Sequence, residues 1–295
     1  MTDKTRSIMT DITQAVIDAM EAGTAPWQRP WEKRGHDIAP TNLSTDNEYH
    51  GLNSFYLSIM SAPYDCDYWI GYKQAIKLGG HVRKGEKSTP ILSPMMRKGQ
   101  DKKTGDDFVY IAGFRASRVF NAKQCDGLTL PSIDDFVPHE IEADQLDSFV
   151  ANTGADITHG ETDQACYVPS VDQVRMPAKD QFLTPAGYYG TVLHELTHWT
   201  GHSSRLNRIS EKNRRGYAYE ELIAELGAYY ASIKLNCPNE AENHASYLES
   251  WLKALQNNPR YLWQAASAAE KAANYLIETA SDCPTGHENC APVQS

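Results

Sequence analysis

The chain has 295 residues, 41% of them hydrophobic and 22% charged, a composition that excludes a disordered or low-complexity protein. No apolar run approaches the roughly 20 residues that span a bilayer, no signal-type apolar segment follows the N-terminus, and six cysteines in so long a chain form no disulfide framework, so a reduced, cytoplasmic protein without a membrane partner is expected. A net charge of −10 argues against nucleic acid only if it is spread evenly, and it is not: residues 1–130 hold 17 Lys and Arg against 15 Asp and Glu, and residues 73–123 hold 12 against 4.

In chain order, Ser7 to Ala22 predicts a helix with Ile8, Ile12, Val16 and Met20 on one stripe, facing a core. Pro26 to Trp31 (PWQRPW) then holds Trp27 and Trp31 around an arginine in a proline-restricted segment. Bases stack on such rings for about 1–3 kcal/mol each, although two indoles can equally plug a small core. Asn42 to Asn53 is rich in turn formers, and an apolar run follows. Asp67 to Gly80 predicts a short helix with Lys73 and Lys77 one turn apart, and the next turn carries Arg83, Lys84 and Lys87. Ile91–Met96 and Phe108–Phe114 predict a hairpin with a basic tip. A third strand near Arg115–Phe120 brings Arg115 and Arg118 to the same sheet. Aromatic residues interleaved with Lys and Arg point to a platform for single-stranded DNA; solvated loop charges are the alternative.

Residues 131–142, with Pro131, Pro138 and an acidic turn, predict a linker between a first domain (1–130) and a second (143–280), with 281–295 a disordered tail. The second domain opens with a helix over Ala143–Asn152 and a short sheet near Ala165–Met176. The next helix starts at Thr184-Pro185, where the hydroxyl can cap and the missing N–H costs nothing, and stops at Gly201. Another helix runs over Tyr217–Ala231, and two amphipathic helices between 244 and 279 divide near Pro259. The expected class is α+β: a small mixed α/β domain followed by a mainly helical one.

The chemistry concentrates in TVLHELTHWTG (191–201). His194 and His198 lie four apart on one helical face and can reach a single ion at Zn–N distances of about 2.1 Å. Glu195, one position round, is placed as general base, with the ion as Lewis acid. Ser204 stands where a metzincin would place its third histidine. His202 would be about 12 Å from His194 along a continuous helix, so it could bind only if the chain turned at Gly201. The better third ligand is a glutamate of the following helix. Glu225 is favoured and Glu221 is the alternative; whichever does not bind can orient a histidine. Tyr188, Tyr189, Tyr217 and Tyr219 are candidates for stabilising a transition state.

PWQRPW, YHGLN, YWIGYKQAIKLGGHVRKGEKS, VFNAKQCDGL, HELTHWTGHSSRLNR and YEELIAEL, in that order, resemble the ArdC-type plasmid antirestriction proteins, whose N-terminal region is similar to that of conjugative TraC-type primases. The resemblance implies a single-stranded-DNA-binding domain joined to a zincin-like metallopeptidase domain, and protection of incoming conjugative plasmid DNA from host restriction. It places the peptidase motif on His194, Glu195 and His198, with Glu225 as acidic ligand. A host protein is then the possible peptide substrate and Zn2+ the cofactor.

Overall fold

The computed structural model describes residues 3–21, 39–100, 105–131, 143–160, 162–209, 217–237, 245–258 and 260–282. Trp27, Trp31, nearly all of the expected linker and the Cys283–Cys290 tail lie outside them.

The opening helix, α1 (Asp3–Glu21), buries the stripe that its sequence displays: Ile8, Ile12, Val16 and Met20 are all at most 4% exposed. After two short strands, β1 (Thr41–Asn42) and β2 (Asn47–Glu48), comes α2 (Gly51–Ser61). The YHGLN segment builds this junction. Gly51 sits at φ +54°, where a side chain is strained, and Asn53 reaches from the helix to the backbone of Leu92, donating to its carbonyl at 2.7 Å and accepting from its N–H at 3.1 Å.

Asp67–Gly80 is not one helix. Tyr68–Ile70 forms strand β3, and only Tyr72–Lys77 is helical (α3). Trp69 and Ile70 are completely buried, and the Trp69 indole donates to Ser61 Oγ at 3.1 Å, so burial of a β-favouring aromatic and β-branched pair overrides the helical pattern of the lysines. The two strands expected at 108–114 and 115–120 are a single long strand, β6 (Asp107–Asn121), paired with β5 (Thr89–Gln100) through a bulge at Met95/Met96. Extra twist at the bulge carries the chain on without a break. The sheet order is β2-β1-β3-β6-β5; the short strands β4 (His81–Val82) and β7 (Cys125–Asp126) pair separately.

In the second half, α4 (Ala143–Asn152) has the expected bounds, and β8 (Asp156–His159), β9 (Cys166–Val168) and β10 (Gln173–Met176) form a sheet in the order β8-β10-β9. Helices α5 (Pro185–Thr200), α6 (Tyr217–Leu235), α7 (Ala245–Asn257) and α8 (Arg260–Asp282) complete the fold. The class is mixed α and β, with a sheet-containing N-terminal region followed by a mainly helical one.

The two halves share a core. Ile12 and Phe55 belong to the same buried cluster as Leu193, Leu222, Trp251 and Leu262, and Phe55 meets Tyr229 edge to face at 5.5 Å. Polar groups lock the seam: Gly51 N–H donates to Glu270 Oε1 at 3.0 Å, and Tyr230 donates its hydroxyl to the Gly51 carbonyl at 2.9 Å. No helix among the described residues is long and apolar enough to cross a membrane.

Candidate metal centre

Helix α5 starts as its sequence dictates: Thr184 Oγ1 accepts from Gly187 N–H at 3.0 Å with Pro185 in the first turn. It ends where Gly201 hands over to a tight return, with the Arg208 and Ile209 N–H groups donating to the Gly201 carbonyl at 2.9 and 2.8 Å. Helix α6 crosses α5 at very close range. A Cβ on Gly227 would lie 2.3 Å from Thr197 Cγ2, and Thr197 is itself held by a 2.8 Å bond from its hydroxyl to the Leu193 carbonyl. That approach sets the N-terminal turns of α6 against the face of α5 that bears the two histidines.

The two imidazoles aim the same nitrogen at one carboxylate. His194 Nε2 is 3.6 Å from Glu221 Oε2, and His198 Nε2 is 3.5 Å from Glu221 Oε1. One donor atom from each of His194, His198 and Glu221 falls within 4.8 Å of the others, and all three residues are buried. The donor set, two imidazoles and a carboxylate converging, fits a divalent ion. Glu225, the glutamate favoured from sequence, is 1% exposed but lies outside this group. Glu225 lies one helical turn beyond Glu221 on α6, and it is the Glu221 carboxylate that both histidines face. His202 is elsewhere too, with its Nδ1 2.8 Å from Ser204 Oγ.

Electrostatics bind the cluster together. Burial works against a charged imidazole at His198, yet the carboxylates of Glu220 and Glu221, with Glu195 nearby, hold its pKa up to about 10. Burial likewise penalises the Glu221 carboxylate, but His194 and His198 outweigh it and keep the group well below the usual carboxylate range.

Two residues not singled out from sequence stand behind His198. Glu220 Oε1 is 3.6 Å from His198 Nδ1, and Arg208 NH2 donates to the same oxygen at 2.8 Å. The sequence signals were the adjacent pair Glu220-Glu221 and the arginine closing HSSRLNR. Of the tyrosine candidates, Tyr188 pairs its hydroxyl with His159 Nε2 at 2.9 Å, and Tyr189 donates to Asp147 Oδ1 at 2.8 Å. Tyr219 is buried against Tyr261, whereas Tyr217, one turn before Glu221 on α6, is 70% exposed.

The basic residues of the first half are spread over two surfaces. Lys73, Lys77, Lys84 and Lys87 are exposed, and Tyr72 beside the first of them packs near Phe120 with ring centroids 6.4 Å apart. Arg118 shares the Phe120 face of β6, whereas Arg115, three residues earlier, projects from the opposite face. Arg83 is engaged by Glu86 at 2.8 Å and by the Lys123 carbonyl at 2.7 Å.

Comparison with known proteins supplies the context for both regions. Residues 6–120 match the N-terminal domain of anti-restriction factor ArdC, and residues 144–268 match the zincin-like metallopeptidase family. Two proteins from Escherichia coli described as DNA primase TraC are 37% and 36% identical over 90% of this chain, which spans only 26% and 19% of their lengths. Uncharacterized protein y4eC of Sinorhizobium fredii is 34% identical and aligns over 95% of this chain and 96% of its own length. The crystal structure of antirestriction ArdC from plasmid R388, metal-free, superposes with a TM-score of 0.77 at 37% identity, covering 93% of this chain and 98% of that one; its Mn(II)-bound form gives 0.73 at 36%. With an ArdC-type N-terminal region, a zincin-like C-terminal region and an end-to-end structural match to ArdC, the chain belongs to the ArdC antirestriction family.

Proposed function

We propose that this protein binds single-stranded DNA without sequence preference, protects incoming conjugative plasmid DNA from restriction, and carries a zinc-dependent peptidase centre. The observation that carries the reading is the convergence of His194 Nε2 and His198 Nε2 on the Glu221 carboxylate in a member of a family solved with Mn(II) bound. A divalent ion held there supplies a Lewis acid that polarises the scissile carbonyl and lowers the pKa of water. Glu195, buried beside His194 on α5, takes the proton of the attacking water on its carboxylate and returns it to the leaving amine. Two imidazoles and one carboxylate form a donor set typical of catalytic zinc, which favours zinc over manganese as the resident metal.

Single strands are assigned to exposed Lys73 and Lys77 on α3 and exposed Arg118 on β6, two elements whose Tyr72 and Phe120 rings lie 6.4 Å apart. The assigned compartment is the cytoplasm, in keeping with the free thiols of Cys66, Cys125, Cys166 and Cys237. A second reading, in which cleavage of a host protein is the main activity and DNA binding only targets it, is favoured by the presence of the whole hydrolytic set, Glu195 included. Plasmid transfer into restricting and non-restricting recipients, with parent and Glu195→Ala proteins, tests the pair. If coating the strand is sufficient, Glu195→Ala still protects. If cleavage is required, transfer collapses in the restricting strain alone while oligonucleotide binding persists. A full-length protein that fails to shift single-stranded oligonucleotide at low salt refutes the DNA assignment outright.

A further inference from the structure

We infer that Glu220 and Arg208 are positioning residues for the metal centre, fixing the ring orientation and tautomer of His198 from behind. The inference rests on the reading of His194, His198 and Glu221 as metal ligands. His198 has two ring nitrogens facing two different carboxylates: Nε2 points to Glu221 at 3.5 Å and Nδ1 to Glu220 at 3.6 Å. A neutral imidazole carries one proton. A proton on Nδ1, facing the Glu220 carboxylate 3.6 Å away, leaves Nε2 with its lone pair directed at the ion site, the support that a metal-ligating histidine ordinarily has.

Glu220 cannot swing away, because Arg208 grips it. NH2 donates to Glu220 Oε1 at 2.8 Å, and Nε lies 3.3 and 3.4 Å from the two carboxylate oxygens. The same guanidinium is anchored to the end of α5, with NH1 donating to Thr200 Oγ1 at 2.9 Å and NH2 to the Thr197 carbonyl at 2.7 Å. Both side chains of the pair are largely buried, with 12% and 17% relative exposure, so the geometry is held away from competing water. Arg208 thus joins Thr200 Oγ1 in donating to the Thr197 carbonyl near the helix end and, through Glu220, orients a side chain on that same helix. The consecutive glutamates take different parts: Glu221 faces the ion site and Glu220 the back of His198.

The test uses full-length protein stripped of metal and titrated with Zn2+ against a chromophoric chelator, together with visible spectra of the Co2+-loaded forms. The parent takes up one equivalent. Glu220→Ala lowers affinity about 10- to 100-fold. Glu220→Gln loses less, because its amide oxygen still accepts from Nδ1–H, and it shifts the Co2+ bands without lowering the Tm of the metal-free protein. Arg208→Ala weakens binding too, and adding it to Glu220→Ala costs little more, since both act through one path. Parent-like affinity in both Glu220 variants overturns the inference while leaving the ligand set standing. Absence of metal uptake by the parent overturns the ligand reading itself.

Discussion

Gly227→Ala should damage the metal centre without touching any residue in it. The added Cβ would stand 2.3 Å from Thr197 Cγ2 and 2.7 Å from Thr197 Oγ1, whereas non-bonded carbons sit comfortably at about 3.5–4.0 Å, so the helices must separate by more than about 1 Å. Thr197 cannot easily turn aside, because its hydroxyl is bonded to the Leu193 carbonyl at 2.8 Å and the residue is fully buried. Overpacking of this kind costs about 1–3 kcal/mol, and replacing a mid-helix glycine by alanine returns roughly 1 kcal/mol through helix propensity. The net loss is about 0–2 kcal/mol, a fall in Tm of several degrees at most. Metal binding responds more sharply, since ligand distances tolerate only about ±0.2 Å and the separation withdraws Glu221 from both histidines. The assay is chelator competition alongside thermal unfolding of the metal-free protein. Gly227→Ala should lose affinity out of proportion to its stability, and Thr197→Ala in the same chain should restore much of it. If Gly227→Ala binds metal as tightly as the parent, close helix approach is not what positions the third ligand.

Other perturbations probe the remaining surfaces. Replacing Lys73, Lys77 or Arg118 by Ala should each lower the slope of log K against log salt for single-stranded oligonucleotide by about 0.7 where one phosphate contact is removed; Arg115→Ala, on the other face of β6, should leave it unchanged. The His50–Glu270 contact at 3.2 Å should make seam stability pH-dependent. Its hydrogen bond to Glu270 raises the His50 pKa, so that contribution is complete below the ordinary value of 6.5 and fades as pH climbs through the raised one. Burial penalises the Glu270 carboxylate, but His50 and the Gly51 N–H lower its pKa overall, so its contribution is complete above the ordinary 4.5 and fades as pH falls through the lowered value. The Tm gap between parent and His50→Ala should therefore be widest between about pH 4.5 and 6.5; a gap that grows steadily toward pH 9 would contradict the assignment. A fragment of residues 1–130 should aggregate or be partly unfolded by size-exclusion chromatography and circular dichroism, because Ile12, Val16 and Phe55 lose the helices that cover them.

Periodicity made the helical half easy to read. Thr184-Pro185, Gly201 and the break before Tyr217 mark the bounds of α5 and the start of α6, and HExxH spacing alone puts two imidazoles on one face of α5. The choice between Glu221 and Glu225 was not legible, because it depends on where two helices cross, and the crossing is set by Gly227 against Thr197, a pair that no local pattern connects. The Ala224 and Ala228 positions do suggest close packing, and both are fully buried, but they do not give its register. Tyr68–Ile70 departs from the expected helix because the helical signal comes from the lysines that follow, while the case for a strand lies in the burial of Trp69 and its bond to Ser61. The shared core was hidden by the charge contrast between the halves. Charge belongs to the surface, and the residues joining the halves, such as Phe55 and Tyr229, are uncharged.

The central claim is that His194, His198 and Glu221 hold a metal ion that Glu195 and Glu225 do not ligate. Zinc and manganese content of full-length protein, measured for the parent and for Ala variants at these five positions, tests it most directly. The account expects about one equivalent in the parent, Glu195→Ala and Glu225→Ala, and little in His194→Ala, His198→Ala and Glu221→Ala. A full complement in Glu221→Ala together with an empty Glu225→Ala would contradict it, moving the third ligand one helical turn along α6.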